Sequence, residues 1–152
     1  MKIDGRRIAE GILASLKKDV NLLKEKDVTP TLAIILVGDD PASVSFIRQK
    51  RIAAEKIGAN LTSDQLPIST TTKVLKERME NYNKDPDIHG IIIQRPLPKD
   101  SPIDRNILLT VSPQKDVDGF VPNSSFHAPV ADAVFTLLEK IHTTAKDKNI
   151  VI

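Results

Sequence analysis

Apolar residues recur along the first segment at three- and four-residue steps, through Ile8, Ile12, Leu13, Leu16, Val20 and Leu23. That spacing predicts an amphipathic helix, with Asp4 just ahead of it as a cap. Pro30 breaks the pattern. Residues 32–37 then run apolar without alternation, as a strand covered on both faces does. Gly38-Asp39-Asp40-Pro41 reads as a turn after that strand. From Ala42 to Ile57 the period is helical again, and Gly58 is a natural terminator. A short strand is expected around 61–66 and a helix over 70–83. A second apolar strand over 88–94 runs into Arg95-Pro96-Leu97-Pro98, which ends it. Further on, the pattern predicts a short helix near 103–109 and a loop holding Lys115 to Phe120. A last helix is expected over 130–141, with Val134, Leu137, Leu138 and Ile141 on one side.

Helices alternating with apolar strands imply an α/β fold, a three-layer α/β/α arrangement with a short, mainly parallel sheet. In such sheets ligands sit outside the carboxyl ends of the strands. Three polar spots fall there: the turn and helix after Val37, the turn at Gln94, and the 116–120 loop.

At 152 residues the chain is sized for one compact domain. A globular chain of that length buries roughly 68–70% of its unfolded surface, so it needs no covalent staple. Hydrophobic residues at 40% and charged residues at 28% exclude a disordered composition. The net charge of +2 is too small to indicate nucleic acid as a partner. With no cysteine, disulfides, thiolate metal sites and cysteine nucleophiles are all excluded. His89, His127 and His142 lack metal-ligand spacing, so no metal site is expected. No apolar run approaches the roughly 18 residues a membrane helix needs, and the first residues lack the apolar core of a signal peptide. The expectation is a soluble, cytoplasmic protein with no membrane partner.

Candidate chemistry is strongest in the segment from Gly38 to Lys50. On a helix Phe46 and Lys50 are four apart and share a face, with Ser43 on nearly the same line. An aromatic ring beside a lysine can hold a flat ligand and supply a proton-transfer group, provided desolvation lowers the amine's pKa. On spacing alone, a solvated lysine beside a core phenylalanine is the plainer reading. Gln94 at a strand end could orient a lysine or read the edge of a heterocycle, although a residue satisfied by backbone is the plainer reading there too. Asp116 and Asp118 are too few to hold Mg or Ca, and alone they read as a turn-stabilising Asp-Gly segment. The chain has no G-x-G-x-x-G, G-x-x-x-x-G-K-[ST] or G-x-S-x-G pattern. Nothing in it is therefore expected to cradle a phosphate or present a serine nucleophile.

Taken together, these spots resemble the bifunctional methylenetetrahydrofolate dehydrogenase/methenyltetrahydrofolate cyclohydrolase family, the FolD family, in its amino-terminal catalytic domain. Asp4-Gly5-Arg6-Arg7-Ile8-Ala9, preceded directly by Ile3, matches the D-G-x-x-x-A of its opening, and Val37 to Ser43 its V-G-x-x-x-A-S. Phe46 to Lys50 stands for Y-x-x-x-K, Gly90 to Pro98 for G-[IV]-[IL]-[IV]-Q-L-P-L-P except at Arg95, and Pro113 to Gly119 for P-x-K-D-V-D-G in full. The matches are collinear from Ile3 to Gly119.

The resemblance implies oxidation of 5,10-methylenetetrahydrofolate with NADP or NAD, then hydrolysis of the methenyl product to 10-formyltetrahydrofolate. It places the pathway in one-carbon metabolism and purine biosynthesis. By position, Lys50 is the implied catalytic lysine, Gln94 the amide that tunes it, and Asp118 the carboxylate that binds the pterin edge. Phe46 stands where a stacking tyrosine is usual. Ser43, Ile93, Gln94, Arg95 and Pro96 complete the implied substrate-binding set. Phe46 keeps the stacking face and loses the hydroxyl, and slower turnover is the expected result. Arg95 replaces an apolar residue at the pocket lip and is expected to disturb Lys50 by like-charge repulsion. The segment after Phe120 is shorter than is usual, and Ala128 to Ala133 replaces P-C-T-P-x-G.

A folate-binding catalytic domain is thus expected over 1–145. Residues 146–152 would be the start of a strand opening a nucleotide-binding Rossmann domain that this sequence does not contain, either because it is a piece cut at a boundary or because the product is short. On that reading the chain itself has no cofactor-binding residues and lacks the dehydrogenase step. A homodimer is implied by the family. The alternative is a non-catalytic folate-binding or dimerisation module, which Phe46, Arg95 and the altered loop favour.

Overall fold

The computed structural model describes residues 3–140. Helix α1 spans Gly5–Lys24, and Asp4 caps it, its Oδ1 accepting from the Arg7 N–H at 3.1 Å. Strand β1 (Thr31–Val37) leads through the Gly38 turn into α2 (Pro41–Ile57). Gly58 closes that helix in the left-handed conformation at φ +82°, as its sequence position predicts. There follow β2 (Asn60–Leu66), α3 (Thr72–Lys84) and β3 (Gly90–Ile93). The short helix expected near 103–109 is a 3₁₀ helix at Arg105–Thr110, started by Asp104. Helix α4 spans Pro129–Lys140. Ile141, the expected strand at 148–152 and the expected boundary after residue 145 lie outside the described residues.

The three strands form one parallel sheet in the order β2-β1-β3, with Ile35 of β1 opposite Asp64 on one side and Ile93 on the other. Because side chains alternate along a strand, β1 feeds two cores. Ala33, Ile35 and Val37 join Ile91, Ile93 and Leu75 and Met79 of α3 on one face. Ile34, Leu36 and Ile92 join Ile47 of α2 on the other. This is the expected α/β/α layering, with β1 buried on both sides, which is why its sequence shows no alternation.

Helix α4 forms where its period predicts. Its apolar period is real, yet none of its residues is buried, and Val130 and Phe135 are exposed.

Candidate active site

Local rules bring three loops together at the carboxyl end of the sheet. Gly38, at φ +81°, turns the chain off β1 so closely to the turn after β3 that a Cβ there would lie 3.2 Å from Pro98 Cγ. Asp40 then starts α2, accepting the Ser43 N–H at 2.8 Å, and that hydrogen bond holds its carboxyl below the usual carboxylate range. The turn from Arg95 to Pro98 is held in place by Arg105, which donates to the carbonyls of Leu97 (3.4 Å) and Pro98 (3.3 Å). The Arg95-Pro96 peptide bond is cis.

The third loop is an added edge of the sheet. Ile91 N–H donates to the Lys115 carbonyl at 2.7 Å, and Asp116 pairs with Ile91 as a parallel bridge. The two carboxylates of the loop have different work. Asp116 is buried, and its Oδ2 accepts from the N–H groups of Phe120 (2.7 Å) and Val121 (2.9 Å). It is the turn-former. Asp118, two residues on, is half-buried and faces Lys50 and Arg95. At Gly119, φ is +67° and a Cβ would fall 2.6 Å from the His127 carbonyl carbon, so only glycine fits.

Lys50 reaches this end from α2. Its Nζ donates to Gln94 Oε1 at 3.4 Å, a long contact, while Gln94 Nε2 donates to the Arg95 carbonyl at 2.9 Å. The second bond fixes which end of the amide faces the lysine. Gln94 itself is buried, one residue past the end of β3. Burial pushes the Lys50 pKa down, and the nearby Asp118 carboxylate partly opposes this. Burial likewise pushes Asp118 up, against the pull of Lys50 and Arg95, with Asp116 adding to the rise. Lys50 is therefore not the solvated lysine of the plainer reading.

The remaining expected residues divide. Phe46, one turn before Lys50, is 62% exposed, so it is not a core residue. Ser43 is buried and tied to the Asp40 turn. Ile93 sits in the core and lines, with Arg95, Asp118 and Phe120, a cavity of about 20 Å³, room for little more than one water. Pro96 is exposed on the turn. The Arg95 guanidinium does not oppose Lys50 as expected. It lies 3.2 Å from the centroid of the Phe120 ring and acts on Asp118. The turn-stabilising reading of the segment holds for Asp116, whereas Phe120 had no role in the sequence reading. The signal for Phe120 was the Asp-x-x-Gly-Phe spacing that puts an aromatic residue just beyond the turn.

Among the described residues no group of three or more His, Asp or Glu side chains could hold a metal. The turn after β1 is not open to a phosphate. The strand-to-helix turn carries Asp39 and Asp40, and Asp40 already takes the Ser43 N–H that a phosphate would need. No described helix is long and apolar enough to cross a membrane.

A parallel sheet with a lysine, an amide and a carboxylate gathered beyond its strand ends defines an α/β domain with a candidate site at that end. The chain belongs to the tetrahydrofolate dehydrogenase/cyclohydrolase family, whose catalytic-domain model matches residues 3–118. It is 39% identical over 159 aligned positions to the bifunctional protein FolD of Bacillus subtilis, an alignment covering 99% of this chain and 56% of that protein. The crystal structure of the bifunctional enzyme FolD from Campylobacter jejuni matches 91% of this chain and 52% of its own, with 32% identity and a TM-score of 0.86. The Trypanosoma brucei dehydrogenase-cyclohydrolase, complexed with NADP cofactor and an inhibitor, matches 94% of this chain and 52% of its own, at 30% identity and a TM-score of 0.86. The chain spans about half the length of the relatives it matches.

Proposed function

We propose that this chain binds a reduced folate beyond the carboxyl end of its sheet and runs the cyclohydrolase step, hydrolysis of 5,10-methenyltetrahydrofolate to 10-formyltetrahydrofolate. The observation that carries this reading is the Lys50–Gln94 contact beside Asp118, with the amine partly desolvated. Asp118 accepts N–H bonds from the pterin edge, a charge-assisted pairing. Phe46 supplies an exposed ring for the aminobenzoyl group. Lys50, when neutral, takes a proton from water as its oxygen bonds to the methenyl carbon. The same group returns that proton to N5 as the bond from that carbon to N5 breaks, and the hydroxyl on the carbon gives its own proton to solvent, leaving the formyl group on N10. Gln94 holds the amine in line. Overall one water is consumed and one proton released.

Oxidation of 5,10-methylenetetrahydrofolate with NADP or NAD belongs, on this reading, to the whole protein and not to the described residues. A cytoplasmic homodimer serving purine biosynthesis is proposed on the family resemblance. The unburied apolar residues of α4 are consistent with a covered face in a larger assembly, and light scattering tests the dimer.

A second reading, a folate-binding module without turnover, is favoured by Phe46, which lacks a hydroxyl. Titration of the protein with 5,10-methenyltetrahydrofolate tests the shared part of both. Saturable binding that Asp118→Ala abolishes is expected. Absence of binding, or equal binding by the variant, rejects the site.

A further inference from the structure

Arg95 stands out because its guanidinium serves neither Lys50 nor Gln94. Its Cζ lies over the Phe120 ring, 3.2 Å from the centroid, while its own carbonyl anchors the Gln94 amide. Phe120 is half-exposed, and its ring would otherwise be free at the end of the loop that carries Asp118. That loop is fastened below by Asp116, which takes the Phe120 and Val121 N–H groups, and behind by Gly119 against the backbone of residues 126–128. On the side facing β3 the loop is tied at its base, where the Ile91 N–H donates to the Lys115 carbonyl, and Arg95 covers the part beyond that tie.

We propose that Arg95 is a positioning residue: set over Phe120 and facing Asp118, it fastens the 116–120 loop to the end of β3 and supplies a second fixed cation beside the Asp118 carboxylate. Its consequence for ligand binding rests on the reading of Asp118 as the pterin acceptor. Asp118 is faced by Lys50 from α2, by Arg95 from the turn after β3, and by Asp116 from its own loop. Burial and Asp116 disfavour its charge, so the two cations oppose the protonation that would remove the acceptor. An uncharged side chain at position 95 leaves Lys50 to do this alone.

The test uses the unliganded chain first. The side-chain carboxyl of Asp118 is followed by carbon NMR against pH in the wild type, Arg95→Leu, Arg95→Lys and Phe120→Leu. Leucine restores the apolar residue expected in the Gly90–Pro98 motif, so folding is not the obstacle. In Arg95→Leu the Asp118 midpoint should move up, in Arg95→Lys it should return most of the way, and in Phe120→Leu it should move less than in Arg95→Leu. Affinity for 5,10-methenyltetrahydrofolate should fall about three- to tenfold in Arg95→Leu, from the lost cation–π and charge contacts, and the gap should widen as pH falls. A midpoint unchanged or lowered in Arg95→Leu overturns the proposal, even if folate still binds. A raised midpoint in a chain that binds no folate sustains the fastening role and rejects the folate reading instead.

Discussion

Val117 packs on the bare face of Gly90 so closely that a Cβ on the glycine would fall 2.8 Å from Val117 Cγ1. The start of β3 and the Asp118 loop, 27 positions apart in sequence, are therefore fitted to each other. Gly90 to Gln94 and Lys115 to Gly119 behave as one unit, which is why they place Gln94 and Asp118 at the same end of the sheet. Gly90→Ala is expected to cost about 1–3 kcal/mol through overpacking. Since the side chain of Val117 must shift, folate affinity should drop with it, read by urea denaturation alongside ligand titration.

Asp116 holds the same loop from beneath. Asp116→Ala leaves the Phe120 and Val121 N–H groups without their acceptor, at about 1–3 kcal/mol for the buried Val121 group and less for the part-buried Phe120 group. Asp116→Asn keeps an acceptor oxygen and should lose much less. Thermal melts of the two variants check the order.

The two functional carboxylate and amine groups predict an asymmetric pH response. Asp118 titrates above the ordinary aspartate range, so ligand affinity should begin to fall at a higher pH than a solvated carboxylate would give, as the acceptor is protonated. Lys50 titrates below the ordinary lysine range, so hydrolysis should rise with pH earlier than a free lysine allows, as neutral amine appears. Affinity and rate measured across the same pH series separate the two limbs.

Phe46 is exposed, and its replacement should leave stability within about 0.5 kcal/mol of wild type. Phe46→Ala should weaken folate binding about three- to tenfold through lost ring stacking. Phe46→Tyr should bind at least as well and turn over faster, because the hydroxyl can meet Lys50 or the substrate.

Much of this was legible in the chain. The unbroken apolar run of β1 announced a strand buried on both faces, and Asp4, Gly58 and Pro30 marked element ends by backbone chemistry alone. The short helix near 103–109 was legible as a helix but not as a 3₁₀ helix, a distinction that hydrogen bonding and not apolar spacing decides. Helix α4 shows the opposite limit, since its period is helical whether or not anything covers it. In the site, spacing could name Lys50, Gln94 and Asp118 without distinguishing a solvated lysine from one resting on an amide. Arg95 was legible as a charge at the pocket lip, but its placement over Phe120 was not, because only the fold brings the two together. Asp116 and Asp118 are identical residues in the sequence, and only the fold gives one to the backbone and the other to the cleft.

The most direct measurement is the decay of 5,10-methenyltetrahydrofolate absorbance with this chain, against buffer and a Lys50→Met variant. Decay with wild type that exceeds both controls, by at least the roughly 100-fold that a positioned acid–base group supplies, is the predicted result. Decay with Lys50→Met equal to wild type contradicts the role of Lys50. Wild-type decay no faster than buffer contradicts the cyclohydrolase assignment.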